Sequence, residues 1–247
     1  MERININEIF LNDNVKMNKE NNIYELEFKT SNYELIKSLL KTRIIQGGST
    51  DETYKRIYFK AEQVKTLKQY KHDKKKITGK PVLSISDIAK LIQSLVIQLN
   101  YLIEIENCTI LGYNPEEILV INDTTFAYIG SELITKIDKD TQCVMISCPY
   151  SPKDFFFSPE IVAIKEIPSY IHFKTSYFSL GLLIIYALLE EEEFYTEYIN
   201  NRHLINHKNR SNILNFLNNH PIKNSKLYWL LSRCLVEEAR DRSIILI

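Results

Sequence analysis

Twelve residues, Phe178-Ser-Leu-Gly-Leu-Leu-Ile-Ile-Tyr-Ala-Leu-Leu189, constrain this chain more than any others. They spell a helix that is apolar nearly all round, and such a helix is stable only when other elements cover it on every side. The run is too short to cross a bilayer, which takes about 20 apolar residues, so the cover has to come from the rest of the protein. A chain of 247 residues, 45% hydrophobic and 25% charged, can supply it. That length suits one large domain or two small lobes around a cleft.

Charge excludes some functions. Lys+Arg and Asp+Glu balance at 31 each, which argues against a nucleic-acid or membrane-surface role driven by net charge. Cys108, Cys143, Cys148 and Cys234 show neither CxxC nor His-paired metal spacing, so they read as free thiols in a reducing compartment. The polar N-terminus, Met-Glu-Arg-Ile-Asn-Ile-Asn, has no signal-peptide pattern. The expectation is a soluble, intracellular protein. Heavy use of Ile, Asn and Lys with only six glycines is the usage of an AT-rich genome, such as that of a large DNA virus or a protist. A viral source would place the protein in host cytoplasm or virion.

Periodicity gives the elements. Residues 1–22 are Asn-rich and read as a short strand or a loose arm. Ile23 to Phe28 alternates apolar with acidic, as a half-buried strand does. A helix follows, with Tyr33, Ile36, Leu39 and Leu40 on one face, then a turn at Gly47-Gly48, a strand at 56–61 and a short helix at 64–70. Residues 71–80 are basic and read as a solvated loop. From Ser84 an apolar stripe of Ile88, Leu91, Ile92, Leu95, Leu99 and Leu102 predicts a long helix. Two paired strands, 117–121 and 125–129, flank an Asn122-Asp-Thr turn. Residues 131–157 read as one long loop, and helices follow at about 175–189, 209–218 and 224–237. The fold class is α+β: a reduced front lobe at 1–70, a linker at 71–83 and a mainly helical rear lobe at 84–247.

The order of the motifs in the rear part resembles the large lobe of protein kinases. Tyr113-Asn-Pro-Glu-Glu-Ile-Leu-Val120 is similar to the catalytic loop of that family, with Pro115 matching its proline; Tyr128-Ile-Gly130 stands where the family has Asp-Phe-Gly, with Gly130 kept. Ser158-Pro-Glu160 resembles Ala-Pro-Glu. Ser179-Leu-Gly181 resembles the head of the central helix, and Arg242 the arginine that pairs with the Glu160 position. The resemblance implies a two-lobed kinase-like fold with Glu160 and Arg242 as a buried ion pair, and Gly181, Pro115 and Gly130 as structural positions.

The same alignment implies that the chemistry is gone. The proton-accepting aspartate falls on Gly112, with Leu111 as the neighbouring candidate. The magnesium-binding asparagine falls on Glu117 and the metal-binding aspartate on Tyr128. Ser176 replaces an aspartate that supports the catalytic loop. No glycine precedes Gly47, so the family's phosphate loop has no counterpart. Lys29 and Glu34 are too close in sequence to stand for the family's lysine–glutamate pair, and Lys29 reads as a surface residue. The expectation is therefore a pseudokinase, a protein-binding scaffold with no cofactor, no metal and no catalytic residue.

One alternative is a divergent serine/threonine kinase using ATP, with Glu117 and Asp123 or Asp138 holding metal. Another, an unrelated helical interaction protein, predicts no strand pair between the helices at 84–102 and 175–189. The emptied cleft is expected to be filled by side chains, Tyr128 among them. Binding would then move to the aromatic stretch Cys148 to Phe157 with Phe194, Tyr195 and Tyr198, unless Phe155 to Phe157 pack beneath their loop.

Overall fold

The computed structural model of the chain describes residues 7–12, 14–150, 155–195, 215 and 217–245, and the architecture is mixed α+β. The front part is a five-stranded antiparallel sheet. It is made of β1 (Asn7–Asn12), β2 (Val15–Glu20), β3 (Ile23–Phe28), β4 (Ser49–Thr50) and β5 (Arg56–Lys60), in the order β1-β2-β3-β5-β4. Helix α1 (Tyr33–Lys41) leaves β3 and buries Leu35, Ile36 and Leu39. In β3 the alternation works as expected. Tyr24, Leu26 and Phe28 are buried, while Glu25 and Glu27 turn outward to Arg56, at 3.4 and 2.8 Å.

Residues 7–12 and 15–20 form two strands rather than one strand or an arm, and residues 1–6 lie outside the described residues. In β2, Val15 and Met17 are buried and alternate with Lys16 and Asn18. Two apolar residues among Asn and Lys are too faint a period to find by pattern.

The expected linker at 71–83 is mostly helix, and the short helix expected at 64–70 begins as a strand. Strand β6 (Val64–Thr66) leads into α2 (Leu67–Thr78) through a capping box, with Thr66 accepting from Gln69 N and Gln69 accepting from Thr66 N. Gly79, at φ +79°, ends the helix. The basic run tolerates helix because its charges find partners: Lys65 and Lys76 with Asp73 at 2.9 and 3.0 Å, Lys74 with Asp87 at 3.1 Å, and Lys68 with Glu116 at 2.8 Å.

The long α3 (Ile85–Glu104) starts on Ser84, whose hydroxyl accepts from Asp87 N. After it come β7 (Cys108–Ile110), β8 (Gly112–Tyr113), a 3-10 turn at Pro115–Glu117, and the antiparallel pair β9 (Ile118–Ile121) and β10 (Thr125–Tyr128), with β6 on the far side of β9. The strand pair is the feature that an unrelated helical protein would lack. Residues 131–157 are not a single loop. They contain β11 (Ile134–Lys136) paired with β7, β12 (Cys143–Ile146), and β13 (Phe156–Phe157) paired with β8. Strand β12 pairs with β14 (Ser169–His172), which follows α4 (Pro159–Val162). These strands have only two to four residues each, below what alternation can signal.

Helix α5 (Thr175–Leu188) is the apolar helix, and every residue of it except Tyr177 is buried. It is followed by α6 (Glu191–Phe194) and α7 (Lys226–Cys234). Of the helix expected at 209–218, residues 215, 217 and 218 are helical and the rest lies outside the described residues. One hydrophobic cluster runs unbroken from Val15 and Met17 in the sheet, through Leu95 and Leu119, to Leu231 and Leu235. A second, smaller cluster joins Leu111, Leu133, Val144, Ile146, Phe157, Ile161, Ile171 and Phe173.

Candidate functional site

Four short elements converge on the region that the sequence singles out. Asn114 accepts Glu116 N at 2.9 Å and opens the 3-10 turn, with Pro115 in its first position. Ile129 N donates to Glu117 O at 2.9 Å, so the end of β10 lies against that turn. This brings Glu117, Tyr128 and Gly130 together, and the Tyr113 ring, next to Gly112 in the chain, lies 5.4 Å from that of Tyr128.

Each of the three positions that the resemblance singles out is filled. Gly112 pairs with Phe157 across β8 and β13, and a Cβ placed on Gly112 would lie 2.6 Å from Phe157 Cε1. No side chain fits there without moving that ring. Leu111 is fully buried in the second cluster. Tyr128 is also fully buried, with its ring edge-on to Tyr113 at 5.4 Å. Neither phenol hydroxyl has a hydrogen-bond partner among the described residues, although buried tyrosine hydroxyls usually find one. Burial, with Glu117 nearby, pushes the Tyr128 phenol well above its usual range.

The Glu117 side chain is buried too. A Cβ on Gly130 would meet Glu117 Oε2 at 2.1 Å and Tyr128 Oη at 2.5 Å. The carboxyl and the phenol thus lie on the same side of Gly130, and only glycine leaves room for both. Burial, and then the neighbouring Glu132, push the Glu117 carboxyl up to about 7. Glu132 in turn accepts Asn14 Nδ2 at 2.6 Å from the turn between β1 and β2. No group of three or more His, Cys, Asp or Glu residues that could hold a metal occurs among the described residues. Asp138 is occupied by its own turn, accepting from Asp140 N, Thr141 N and Thr141 Oγ1. Asp123 does not simply face solvent: its Oδ1 is buried without a partner. Lys29 is exposed, and Glu34 pairs with Lys136 at 2.8 Å rather than with Lys29.

The structural positions form a second constellation. Arg242 is fully buried, and Nη1 and Nη2 grip the two Glu160 carboxylate oxygens. Its Nε donates to Val236 O at 2.8 Å and Nη2 to Glu237 O at 2.8 Å, with the guanidinium 4.9 Å over the Phe178 ring. Gly181 lets Leu235 approach α5, because a Cβ there would lie 2.9 Å from Leu235 Cδ2. Ser176 donates only to Phe173 O, within its own turn. Ser179 does what Ser176 does not: its hydroxyl donates at 2.9 Å to Leu111 O, just before Gly112. Sequence reading missed that role, because Ser179 looked like a mere marker of the helix head.

The aromatic stretch is not an exposed patch. Phe156 and Phe157 are buried and Phe155 is half-buried. Pairing of β13 with β8 sends the two rings to opposite sides: Phe156 onto Tyr186 and Phe194 at 5.3 and 4.9 Å, Phe157 into the second cluster. Phe194 is buried as well. Tyr198 and residues 151–154 lie outside the described residues. The sequence also gave no hint of a groove of about 960 Å³ between α2 and α6. At its edge Lys71, expected in a solvated loop, is buried. Its ammonium donates to Tyr186 O and sits 3.7 Å over the Tyr186 ring. Burial pulls it down to about 7.

No family model matches the chain, and no curated protein matches it significantly. No helix among the described residues is long and apolar enough to cross a membrane.

Proposed function

We propose that the chain is a protein-kinase-like, two-lobed protein that has lost phosphotransfer and serves as a protein-binding or scaffold module. One observation carries the reading. The three positions that the resemblance assigns to the base and the metal ligands hold a glycine packed on Phe157, a buried tyrosine and a buried glutamate. Phosphoryl transfer depends almost wholly on positioning and charge neutralisation. A floor built from a ring face, a phenol and a carboxyl crowded against Gly130 offers little of either.

The order of elements supports the fold half of the reading. An antiparallel sheet with one helix between its third and fourth strands precedes a strand pair, an ion pair from Ser-Pro-Glu to Arg242, and a buried central helix. The continuous cluster from Val15 to Leu119 supports a cleft filled by side chains.

The rival reading, a divergent kinase, draws on the closeness of Glu117 to the Tyr128 position at Gly130. A thermal-shift titration with ATP, with and without magnesium or manganese, separates the two. A nucleotide at a hundred times its dissociation constant adds about 2.7 kcal/mol. The scaffold reading expects no shift and no labelling of generic substrates. Metal-dependent phosphorylation abolished by Glu117→Ala would replace it with the rival.

A further inference from the structure

We propose that Gln98 is an internal lock that holds α1 and the Tyr128 strand in one fixed arrangement. Gln98 projects from α3 and is completely buried. Its Oε1 accepts Tyr128 N at 3.0 Å, and its Nε2 donates to Tyr128 O at 2.9 Å. The same nitrogen donates to Ser38 Oγ on α1 at 3.1 Å, and the Ser38 hydroxyl donates in turn to Leu35 O at 2.6 Å. One planar amide therefore ties three elements together.

The paired contact to Tyr128 mimics what a neighbouring strand would make, a donor and an acceptor on the same residue. Tyr128 cannot rotate about its backbone without breaking both bonds at once. Every group in the chain of bonds is buried, so a break strands polar atoms where water cannot replace the lost partner. The rim of the same seam carries Glu34–Lys136 and Asn14–Glu132. Those contacts are largely exposed and each adds little; the buried amide is the stronger tie. Movement of α1 is thereby coupled to the orientation of Tyr128-Ile-Gly130, whichever reading of function is right.

Hydrogen exchange on the full chain, read by mass spectrometry or NMR, tests the lock with two variants. Ser38→Ala cuts the arm to α1, together with the Ser38–Leu35 bond inside that helix, and leaves both bonds to Tyr128. It is expected to speed exchange of the amides at 36–40 at least tenfold and leave the Tyr128 amide as in the parent. Gln98→Leu, close in volume, should speed both. Unchanged exchange in α1 for Ser38→Ala, or an equal acceleration across the whole chain, overturns the proposal. If Gln98→Leu does not fold, the Ser38→Ala result decides alone.

Discussion

We predict that Glu160→Ala destabilises the protein by about 3 kcal/mol, the low end of the roughly 3–5 kcal/mol expected for stranding one member of a buried ion pair. The geometry places it at that end. Arg242 is 0% exposed, but Glu160 is 26% exposed, so water already weakens their attraction. After truncation the guanidinium keeps Val236 O, Glu237 O and the Phe178 ring, and loses only the two charge-assisted bonds to the carboxylate. At about 2–4 °C per kcal/mol for a chain of this size, the melting temperature should fall by roughly 6–12 °C. Differential scanning calorimetry or circular dichroism reads this directly. Glu160→Gln, which keeps the shape and one acceptor, should fall between the parent and Glu160→Ala. The double variant Glu160→Leu/Arg242→Met removes both charges and should recover much of the loss. A Glu160→Ala protein melting within about 2 °C of the parent, or a double variant no better than the single, would falsify the claim that this pair is a buried anchor.

Glu117 supplies a pH signature. Its folded pKa, raised to about 7, exceeds the usual 4.5, so the native state holds a proton that the unfolded chain releases between those values. Stability from this group is full below about pH 4.5 and is lost as pH rises through 7. The loss is about 3 kcal/mol, and Glu117→Gln should abolish that part of the slope in urea melts from pH 5 to 8. Tyr128→Phe removes a buried hydroxyl with no partner. It should therefore leave stability unchanged or raise it by about 1 kcal/mol; a loss above 2 kcal/mol would reveal a missed partner. Placing at Gly112 the carboxylate that the kinase resemblance would put there, by Gly112→Asp, should give no phosphotransfer and a drop of at least about 2 kcal/mol, since its Cβ meets the Phe157 ring at 2.6 Å. Activity in that variant would refute the account of the floor.

What could be read in advance follows the strength of each period. The apolar helix at 178–189 and the stripe from Ile88 to Leu102 repeat over several turns, and both appear as α5 and α3. The turn at Asn122-Asp123 is local chemistry, since both residues take positive φ, 51° and 56°. The strands β8 and β13 have two residues each and are set by distant pairing, so no local signal predicts them. That one missed pairing accounts for both the filled space at Gly112 and the burial of Phe156 and Phe157, which the sequence left between an exposed surface and packing beneath their loop. Lys71 departs from its expected solvated loop for a different reason. Composition marked its neighbourhood as solvated, whereas its ammonium caps a carbonyl at the end of α5 and lies on a ring.

The Glu160–Arg242 pair has a consequence for how the protein is made. Its members lie 82 residues apart in the chain. At about 5–20 residues per second of synthesis, the glutamate leaves the ribosome roughly 4–16 s before the arginine. Through that interval α4 lacks its ion-pair partner, and α5 lacks the Leu235 contact at Gly181 that closes one of its faces. One face of an apolar helix waits uncovered, the kind of surface that holdase chaperones bind and that aggregates when they do not. A chain truncated between residues 160 and 242 should therefore be cleared by proteases rather than persist as a stable fragment.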